Sequence, residues 1–560
     1  MAAHRSLVHA ALGTALVAGS VSLAVPALGA GATGSTHVLS DVLPHLSSFT
    51  DRGAVGARLP MRIGVQLSNP KQAAKDTAEQ AMYTPGSATY HRFLSPSSFN
   101  AKFGISPSVT KSVASALSRH GLHVSYTSGD GSYLVLAGPA AAVERTFDVH
   151  LHSFARTHGS RFFANVDEPT VPAAVETVIG LSDFATMQPM SNQWGPDHDP
   201  ASTTDQENRF CGLPVPNACY GVLIPQDLWG VYHAPKSNLG MGEKIGIYGS
   251  ESPTAVFSDL RHYEADHGLP QVPVREILTN ADLTGTATPT EADLDVAAAQ
   301  GMAPDLAELD LYFDSGLAAD MGTTFQKWAG DAAGPQIMNI SYGLCEPVML
   351  ALGWQAAMEA PLQQAVMEGR TAFASTGDTG GSCAAGNGIV NDGVPAANYP
   401  SSSAFVVAVG GTVVMTKNTG TASATELWPA TRSTEIAWTH GGGGHSIMEP
   451  EPKYQQAVAP VTTNCVLTHD GSDVDSNLSP CRNVPDVAAM SGDLWNGYAI
   501  YSGGAESESG GTSLSSPLWA GFWARVVAAH DNSTCAAVGS KVAGPIGFAN
   551  PTFYALAVRS

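Results

Sequence analysis

Residues 244–248 read Lys-Ile-Gly-Ile-Tyr, a short apolar run that is typical of a strand buried on both faces. Three similar runs follow at residues 336–340, 371–375 and 405–409, and helical stretches separate them. Strands that alternate with helices form a parallel sheet, because each helix carries the chain back to the edge where the next strand begins. The sequence therefore predicts an α/β fold, with a mostly parallel sheet flanked by helices.

Residues 45–190 show a different pattern of short strands and short helices. Two helices are predicted to begin at the Ser-Pro pairs 95–96 and 106–107. The second helix has three apolar residues on one predicted face, namely Val109, Val113 and Leu117. Beta-rich runs follow at 124–126 and 133–136. This region is expected to be a small α/β domain with its own core.

Length and charge limit the classes of protein that this chain can represent. With 560 residues it is too long for one compact core, so we expect two or more domains. Acidic residues outnumber basic ones by 49 to 27, and no basic patch is visible, so nucleic acid is not an expected partner. The acidity indicates either solubility alone or tolerance of acid, since few ion pairs are available for protonation to break.

The first residues, 1–32, have the features of a secretory signal. Arg5 precedes a mostly apolar stretch over 7–25, and Ala30-Gly31-Ala32 fits a cleavage site. A transmembrane helix is the alternative, but Gly and Ser residues interrupt the stretch. We therefore expect a secreted, extracellular protein without a membrane anchor once the signal is removed.

Seven cysteines follow the signal, and export permits disulfides. Cys211 with Cys219, and Cys465 with Cys481, are close enough in sequence to pair, although spacing alone does not fix connectivity. One cysteine is left over. No C-x-x-C spacing is present, so a zinc site is not expected.

The stretch at 510–517 is Gly-Gly-Thr-Ser-Leu-Ser-Ser-Pro, and apolar residues continue to Ala529. A helix that begins here has Ser513 at its N-terminus, where the dipole and unpaired N–H groups favour a developing negative charge. Ser513 is therefore a candidate nucleophile. The alternative is an ordinary serine N-cap.

A serine nucleophile needs a base, and none of the 18 histidines stands in the His-Gly-Thr context of subtilisin-type peptidases. Instead, Glu291 and Asp295 open a predicted helix over 291–300 and project from one face of it. Like charges at this spacing are destabilising unless one is protonated or both are engaged. The alternative is a capping box in which Thr288 caps the helix and Glu291 reaches back.

A third carboxyl, Asp378, stands in the Gly-rich stretch 376–381, directly after the apolar run 371–375. Loops at the carboxyl ends of parallel strands are where α/β sheets build their sites. The alternative is a turn residue, which is the commoner role of an aspartate among glycines.

Together, these three stretches resemble the motifs of the sedolisin (serine-carboxyl peptidase) family in order and approximate spacing. Further stretches resemble the same family: 340–343, 399–400 with 409–412, 438–446 and 484–487. Residues 90–95 and 180–181 resemble its activation propeptide, which is of the pro-kumamolisin type. The resemblance covers roughly residues 45 to 558.

The resemblance implies a subtilisin-like sheet flanked by helices and preceded by a small α/β propeptide domain. The implied divisions are a signal peptide at 1–32, the propeptide at 45–190, a linker with the processing site at 191–215 and the peptidase domain at 216–560. The expected function is that of a secreted, acid-acting endopeptidase that cleaves proteins or peptides. Its own propeptide is expected to inhibit it until self-processing.

The resemblance also implies roles for four residues. Ser513 would attack the scissile carbonyl, Glu291 would take its proton, Asp295 would hold Glu291, and Asp378 would donate to the oxyanion. Acid operation fits these groups, because a histidine of ordinary pKa near ~6.5 is protonated in acid whereas a glutamate near ~4.3 is poised there. Asp378 can donate only while it is protonated.

The chain departs from the family in one respect. Family members continue past the serine helix into a calcium loop, which we expect to be missing here, so structural calcium is in question. The proposed chemistry itself requires no cofactor. Three alternatives stay open: a binding protein with an inactive peptidase fold, a His-dependent enzyme working at neutral pH, and a secreted adhesin. The four expected site residues argue against an inactive fold, and the missing His motif argues against a His-dependent enzyme. The lack of repeats argues against an adhesin.

Overall fold

A computed structural model describes most of the chain from residue 36 onward. The described residues are 36–38, 42–156, 160–192, 210–211, 218–250, 253, 255–279, 290–381, 396–417, 430–456, 458, 480–492, 496–531 and 545–558. The expected signal peptide, the cap at Thr288 and three cysteines (Cys383, Cys465 and Cys535) lie outside them.

The N-terminal part, residues 36–192, alternates short strands with short helices. Its strands are β1 (Thr36–Val38), β2 (Thr50–Ala54), β3 (Pro60–Leu67), β4 (His123–Thr127), β5 (Tyr133–Pro139), β6 (Leu151–Ala155), β7 (Arg161–Asn165), β8 (Thr170–Pro172), β9 (Val175–Ile179), β10 (Gln188–Pro189) and β11 (Ser191–Asn192). Its helices are α1 (Gln72–Tyr83), α2 (Pro96–Phe103), α3 (Pro107–Leu117) and α4 (Ala140–Phe147).

The C-terminal part, residues 210–558, holds longer helices between its strands. The strands are β12 (Phe210–Cys211), β13 (Ala218–Tyr220), β14 (Lys244–Gly249), β15 (Val274–Leu278), β16 (Glu308–Phe313), β17 (Ile337–Ile340), β18 (Tyr342–Cys345), β19 (Thr371–Ser375), β20 (Asn398–Tyr399), β21 (Val407–Lys417), β22 (Arg432–Ala437), β23 (Gly444–Pro450), β24 (Cys481–Val484), β25 (Val487–Met490), β26 (Tyr498–Ser502) and β27 (Ala505–Gly511). The helices are α5 (Pro225–Val231), α6 (Val256–Asp266), α7 (Thr290–Met302), α8 (Ala318–Gly330), α9 (Glu346–Ala351), α10 (Trp354–Met367), α11 (Thr512–Asp531) and α12 (Asn550–Ala557). No helix within the described ranges is long and apolar enough to cross a membrane.

A large sheet forms the centre of the C-terminal part, and its strands follow the order β12-β13-β21-β19-β17-β14-β16-β15. Every pair from β21 to β15 along this path is parallel. The strands β12, β13 and β22 add antiparallel pairs near β21. The predicted mostly parallel sheet is therefore confirmed, and the four apolar runs form β14, β17, β19 and β21.

Alternate side chains of the central strands enter two different cores. Ile337 and Phe373 belong to the core that contains α7 and α11. Met338 and Ala372 belong to the core that contains α8 and α10. Because helices cover both faces of the sheet, the strands read as continuous apolar runs rather than as alternating ones.

In the N-terminal part, β4-β5-β3-β9 form an antiparallel sheet whose core includes α3 and α4. The helix starts predicted at the two Ser-Pro pairs are confirmed. One detail is wrong: Val109 is 38% exposed, and Thr110 is buried in its place. Thr110 lies toward the loop before β5, where its hydroxyl donates to the Gly131 carbonyl at 2.9 Å.

The other face of this antiparallel sheet packs on the C-terminal part. Tyr133 shares a core with α8, and its hydroxyl donates to the Ala319 carbonyl at 3.0 Å. Arg62 Nε pairs with the buried Asp320 at 2.5 Å. Residues 36–560 form one compact unit, so the two parts are packed together rather than separate.

Four cysteines lie within the described ranges. Cys345 and Cys481 each take part in a disulfide bond. Cys211 and Cys219 face each other in the β12–β13 register. The pairing of Cys465 with Cys481 stays a prediction, because Cys465 lies outside the described residues.

Candidate active site

Ser513 lies in the first turn of α11, directly after β27, as the sequence predicts. Gly511, the last residue of β27, has φ +96°, a conformation that residues with a side chain rarely adopt and that lets the strand turn into the helix. The Ser513 side chain is fully buried, and its Oγ donates to the Ser341 carbonyl at 3.3 Å.

The helix α7 brings three carboxyl groups into the interior beside α11. Glu291, Asp293 and Asp295 are 4%, 2% and 0% exposed. The two helices approach closely because Gly521 on α11 has no side chain, and a Cβ there would lie 2.7 Å from the Ala299 carbonyl oxygen. The predicted helix over 291–300 is confirmed, with Glu291 one turn before Asp295.

Ser341 connects α7 to the serine helix. Its Oγ donates to Asp295 Oδ1 at 2.6 Å and accepts from Asn339 Nδ2 at 3.0 Å. Asn339 Oδ1 in turn accepts from Ser516 Oγ at 2.7 Å. The stretch 340–343 resembles the family motif, but the sequence predicts no role for Ser341. The available signal was its position directly after a buried strand of a parallel sheet.

Asp378 follows β19 and faces the start of α11. Its Oδ1 accepts both the backbone N–H of Thr512 at 2.8 Å and the Thr512 hydroxyl at 2.9 Å. Its Oδ2 is buried, and within the described part of the chain it has no hydrogen-bond partner. Burial raises the pKa of Asp378 to about 7, and the two bonds from Thr512 oppose that rise without overcoming it.

A stretch of the N-terminal part crosses in front of Ser513. The strand β10 pairs antiparallel with β18, and β11 pairs antiparallel with β27. Between them, the Met190 N–H donates to the Ser341 carbonyl at 2.9 Å, and the Met190 carbonyl accepts the Ser513 N–H at 3.1 Å. A peptide backbone therefore contacts the candidate nucleophile directly, which sequence reasoning did not foresee.

No metal site is found in the described ranges, where no group of three or more His, Cys, Asp or Glu side chains could hold an ion. Calcium binding stays an open prediction for the chain as a whole, and no step below involves a metal.

Comparison with known proteins finds similarities for both parts of the chain. Residues 47–184 match the family described as the pro-kumamolisin activation domain. Sedolisin of Pseudomonas sp. (strain 101) is 25% identical over 488 residues, which cover 84% of this chain and 77% of that protein. Kumamolisin of Bacillus sp. (strain MN-32) is 26% identical over 533 residues, covering 90% of this chain and 85% of that one.

A solved structure agrees with these relatives. Pseudomonas sedolisin, a serine-carboxyl proteinase complexed with two molecules of pseudo-iodotyrostatin, matches with a TM-score of 0.50 and 25% identity. The match covers 60% of this chain and 86% of that one. This chain is similar to the sedolisins over most of its length. It is a serine-type peptidase that carries an activation domain.

In this sedolisin-like chain, the activation domain implies intramolecular inhibition and peptide substrates. Three of the four predicted site residues, Ser513, Asp295 and Asp378, are linked at the start of α11. Ser341 contacts both Ser513 and Asp295, and Thr512 joins Asp378 to the same turn. Glu291 lies on α7, one turn from Asp295.

Proposed function

We propose that this chain is a secreted, acid-acting serine-carboxyl endopeptidase, synthesised as a self-processing proenzyme. The observation that carries the proposal is the 3.1 Å hydrogen bond from the Ser513 N–H to a peptide carbonyl, that of Met190. A backbone N–H that meets the substrate carbonyl at a helix N-terminus stabilises the oxyanion of acyl transfer.

In the proposed reaction, Ser513 Oγ attacks the scissile carbonyl carbon and gives its proton to the Glu291 carboxylate. Glu291 then protonates the leaving amine, and in the second half it takes a proton from the water that hydrolyses the acyl-enzyme. Asp295, fixed by Ser341 at 2.6 Å, holds Glu291 from the same helix face. The close packing of α7 on α11 supports this assignment, because it buries both carboxyls beside the serine helix.

Asp378 supplies the second oxyanion donor in this proposal. Thr512 occupies Oδ1 with two donated hydrogen bonds, so Oδ2 is the oxygen left to carry a proton. With its pKa raised to about 7, Asp378 is protonated in acid and can donate to the oxyanion. Above that pH it ionises and repels the developing negative charge, so the enzyme works in acid.

Export and domain division belong to the same proposal. The apolar stretch and small-residue exit within residues 1–32 support a secretory signal. We keep the linker with the processing site at 191–215, between an activation domain at 45–190 and the peptidase domain at 216–560. The chemistry needs only the side chains named above and water.

The test is hydrolysis of an unfolded protein by the acid-treated enzyme from pH 2 to 8, with Ser513→Ala beside the wild type. Ser258→Ala, an exposed serine on α6, is the matched control. We expect an acid optimum, retained in the control and abolished in Ser513→Ala, and internal fragments among the products. Equal activity in Ser513→Ala would exclude the nucleophile, and release of terminal tripeptides alone would exclude endopeptidase action.

A further inference from the structure

The segment 188–192 is bound as peptidase substrates are bound, in an extended conformation between two strand edges. On one side, Gln188 and Pro189 face Gly343 and Tyr342 of β18. On the other side, β11 faces the end of β27, directly before the serine helix. The segment thus runs past the nucleophile with main-chain pairing before and after it.

Met190 is the residue at the reacting position. Its N–H donates to the Ser341 carbonyl oxygen. Ser513 Oγ donates to the same oxygen, so Met190 N and Ser513 Oγ share one acceptor. The Met190 carbonyl receives the N–H of Ser513, and the N–H of a nucleophilic serine is a donor to the oxyanion of the bond that is cut.

We infer that the chain is its own first substrate and that it cuts the Met190–Ser191 peptide bond; this inference rests on the proposed peptidase function. Ser513 Oγ bonds to the Met190 carbonyl carbon and its proton goes to Glu291. The C–N bond to Ser191 breaks, and the Ser191 nitrogen takes that proton to become a free amine. Water then hydrolyses the ester, leaving a carboxyl group on Met190.

The Met190 side chain is half-buried and lies against two glycines. A Cβ at Gly343 would lie 2.6 Å from Met190 Cε, and a Cβ at Gly377 would lie 3.4 Å from Met190 Sδ. The missing side chains give room to a long, apolar and flexible side chain such as methionine. If the proposal holds, substrates with a similar residue directly before the cut are expected to be favoured.

The experiment shifts the full-length proenzyme to acid and follows it by intact mass and N-terminal sequencing from the earliest time point. We expect the first new N-terminus at Ser191 and a fragment that ends at Met190. The rate should be unchanged on dilution, because substrate and site belong to one chain. Ser513→Ala should stay uncut.

Variants of Met190 test whether its side chain is recognised at this position. Met190→Leu should process within about twofold of the wild type, whereas Met190→Lys should slow the first cut by roughly tenfold or more, since a charge is poorly accommodated against apolar surface. The matched control is Val109→Lys, an equivalent change at an exposed position of the activation domain, which should process normally.

Two failures can be told apart. A first cut elsewhere in the chain, or an unslowed cut in Met190→Lys, would overturn the assignment of this bond while leaving the peptidase function intact. A wild type that cuts neither itself nor an added unfolded protein in acid would overturn the proposed function from which the inference starts.

Discussion

Thr512 donates two hydrogen bonds to a single oxygen of Asp378, its backbone N–H at 2.8 Å and its hydroxyl at 2.9 Å. The next residue is Ser513, so one turn of backbone fixes both the candidate nucleophile and the candidate acid. Because both bonds go to Oδ1, that oxygen is the acceptor in either protonation state. The proton of the acid form belongs on Oδ2.

This arrangement predicts different outcomes for two substitutions of Asp378. An asparagine can keep its oxygen toward Thr512 and present its N–H₂ group where the acid proton was. We therefore expect Asp378→Asn to retain part of the activity, with an alkaline limb that no longer falls near pH 7, the value to which burial raises the pKa of Asp378. Asp378→Ala has no donor and should lose about 10²–10³-fold in kcat.

The measurement is a pH profile of kcat for both variants, after activation, from pH 3 to 8. Thermal unfolding of each variant in the Ser513→Ala background controls for damage to the fold. An Asp378→Asn profile with the same alkaline limb as the wild type would mean that another group sets the loss of activity.

Ser341 is predicted to be a positioning residue through its 2.6 Å hydrogen bond to Asp295. Losing a hydrogen bond to a buried group costs about 1–3 kcal/mol, so Ser341→Ala should lower kcat by roughly 5- to 100-fold. The KM for peptide substrates should change little, because the Ser341 carbonyl that accepts a substrate N–H is retained. A rise in KM with unchanged kcat would contradict this role.

Strands of the sheet could be predicted from the sequence where they form uniformly buried runs, but not where a charged residue interrupts the run. The runs that form β14, β17 and β19 contain no charged residue after Lys244, because helices cover both of their faces. The strand β16 was not predicted, because its sequence, Glu-Leu-Asp-Leu-Tyr-Phe, includes the fully buried Asp310. Arg275 of β15 pairs with that carboxylate, a partner that local pattern does not reveal.

The residues of the candidate site also differ in how far the sequence could predict them. Ser513, Asp378 and the α7 carboxyls stand in short motifs at the ends of elements, where local sequence indicates a site. Ser341 and Met190 depend on pairing between distant segments. Main-chain hydrogen bonds leave no signature in side-chain identity, so the sequence gives no sign that residues 188–192 lie beside Ser513.

The activation domain should be held less firmly without Arg62. Its pair with Asp320 joins β3 to α8, and Asp320 is fully buried while Arg62 is 28% exposed. Arg62→Met keeps the apolar stem but leaves the carboxylate without that charge, which is costly for a buried group. We expect the lag before hydrolysis at a fixed acid pH to shorten by several-fold, up to about tenfold.

The lag is measured by mixing the proenzyme with an unfolded substrate at that pH. The matched control is Arg58→Met, the same change at an exposed position of the same domain, which should leave the lag unchanged. A longer lag in Arg62→Met would show that the pair assists release instead of opposing it.

Folding stability should be greater in acid than at neutral pH. Burial raises the pKa of several carboxyl groups to about 7: Glu79, Glu243, Asp314, Glu346, Glu368 and Asp378. Between their unfolded pKa values near ~4 and about 7, the folded state binds more protons than the unfolded state. The free energy of unfolding therefore falls as pH rises through that window.

Carboxyls with a lowered pKa affect stability at low pH. Those of Asp51, Asp167, Glu308 and Asp331 stabilise the fold above their unfolded pKa values, and this contribution is lost only as the pH falls below ~4. The two sets together predict maximal stability near pH 4–5, in the range where the proposed chemistry works.

Thermal unfolding of Ser513→Ala between pH 3 and 8 tests this prediction without self-cleavage. Glu346→Gln, which replaces a fully buried group, should reduce the fall between pH 4 and 7, because one proton fewer is released there. The exposed Glu276→Gln should leave the profile unchanged. A midpoint that rises from pH 4 to 7 would mean that ion pairs, rather than buried neutral carboxyls, dominate the stability of this fold.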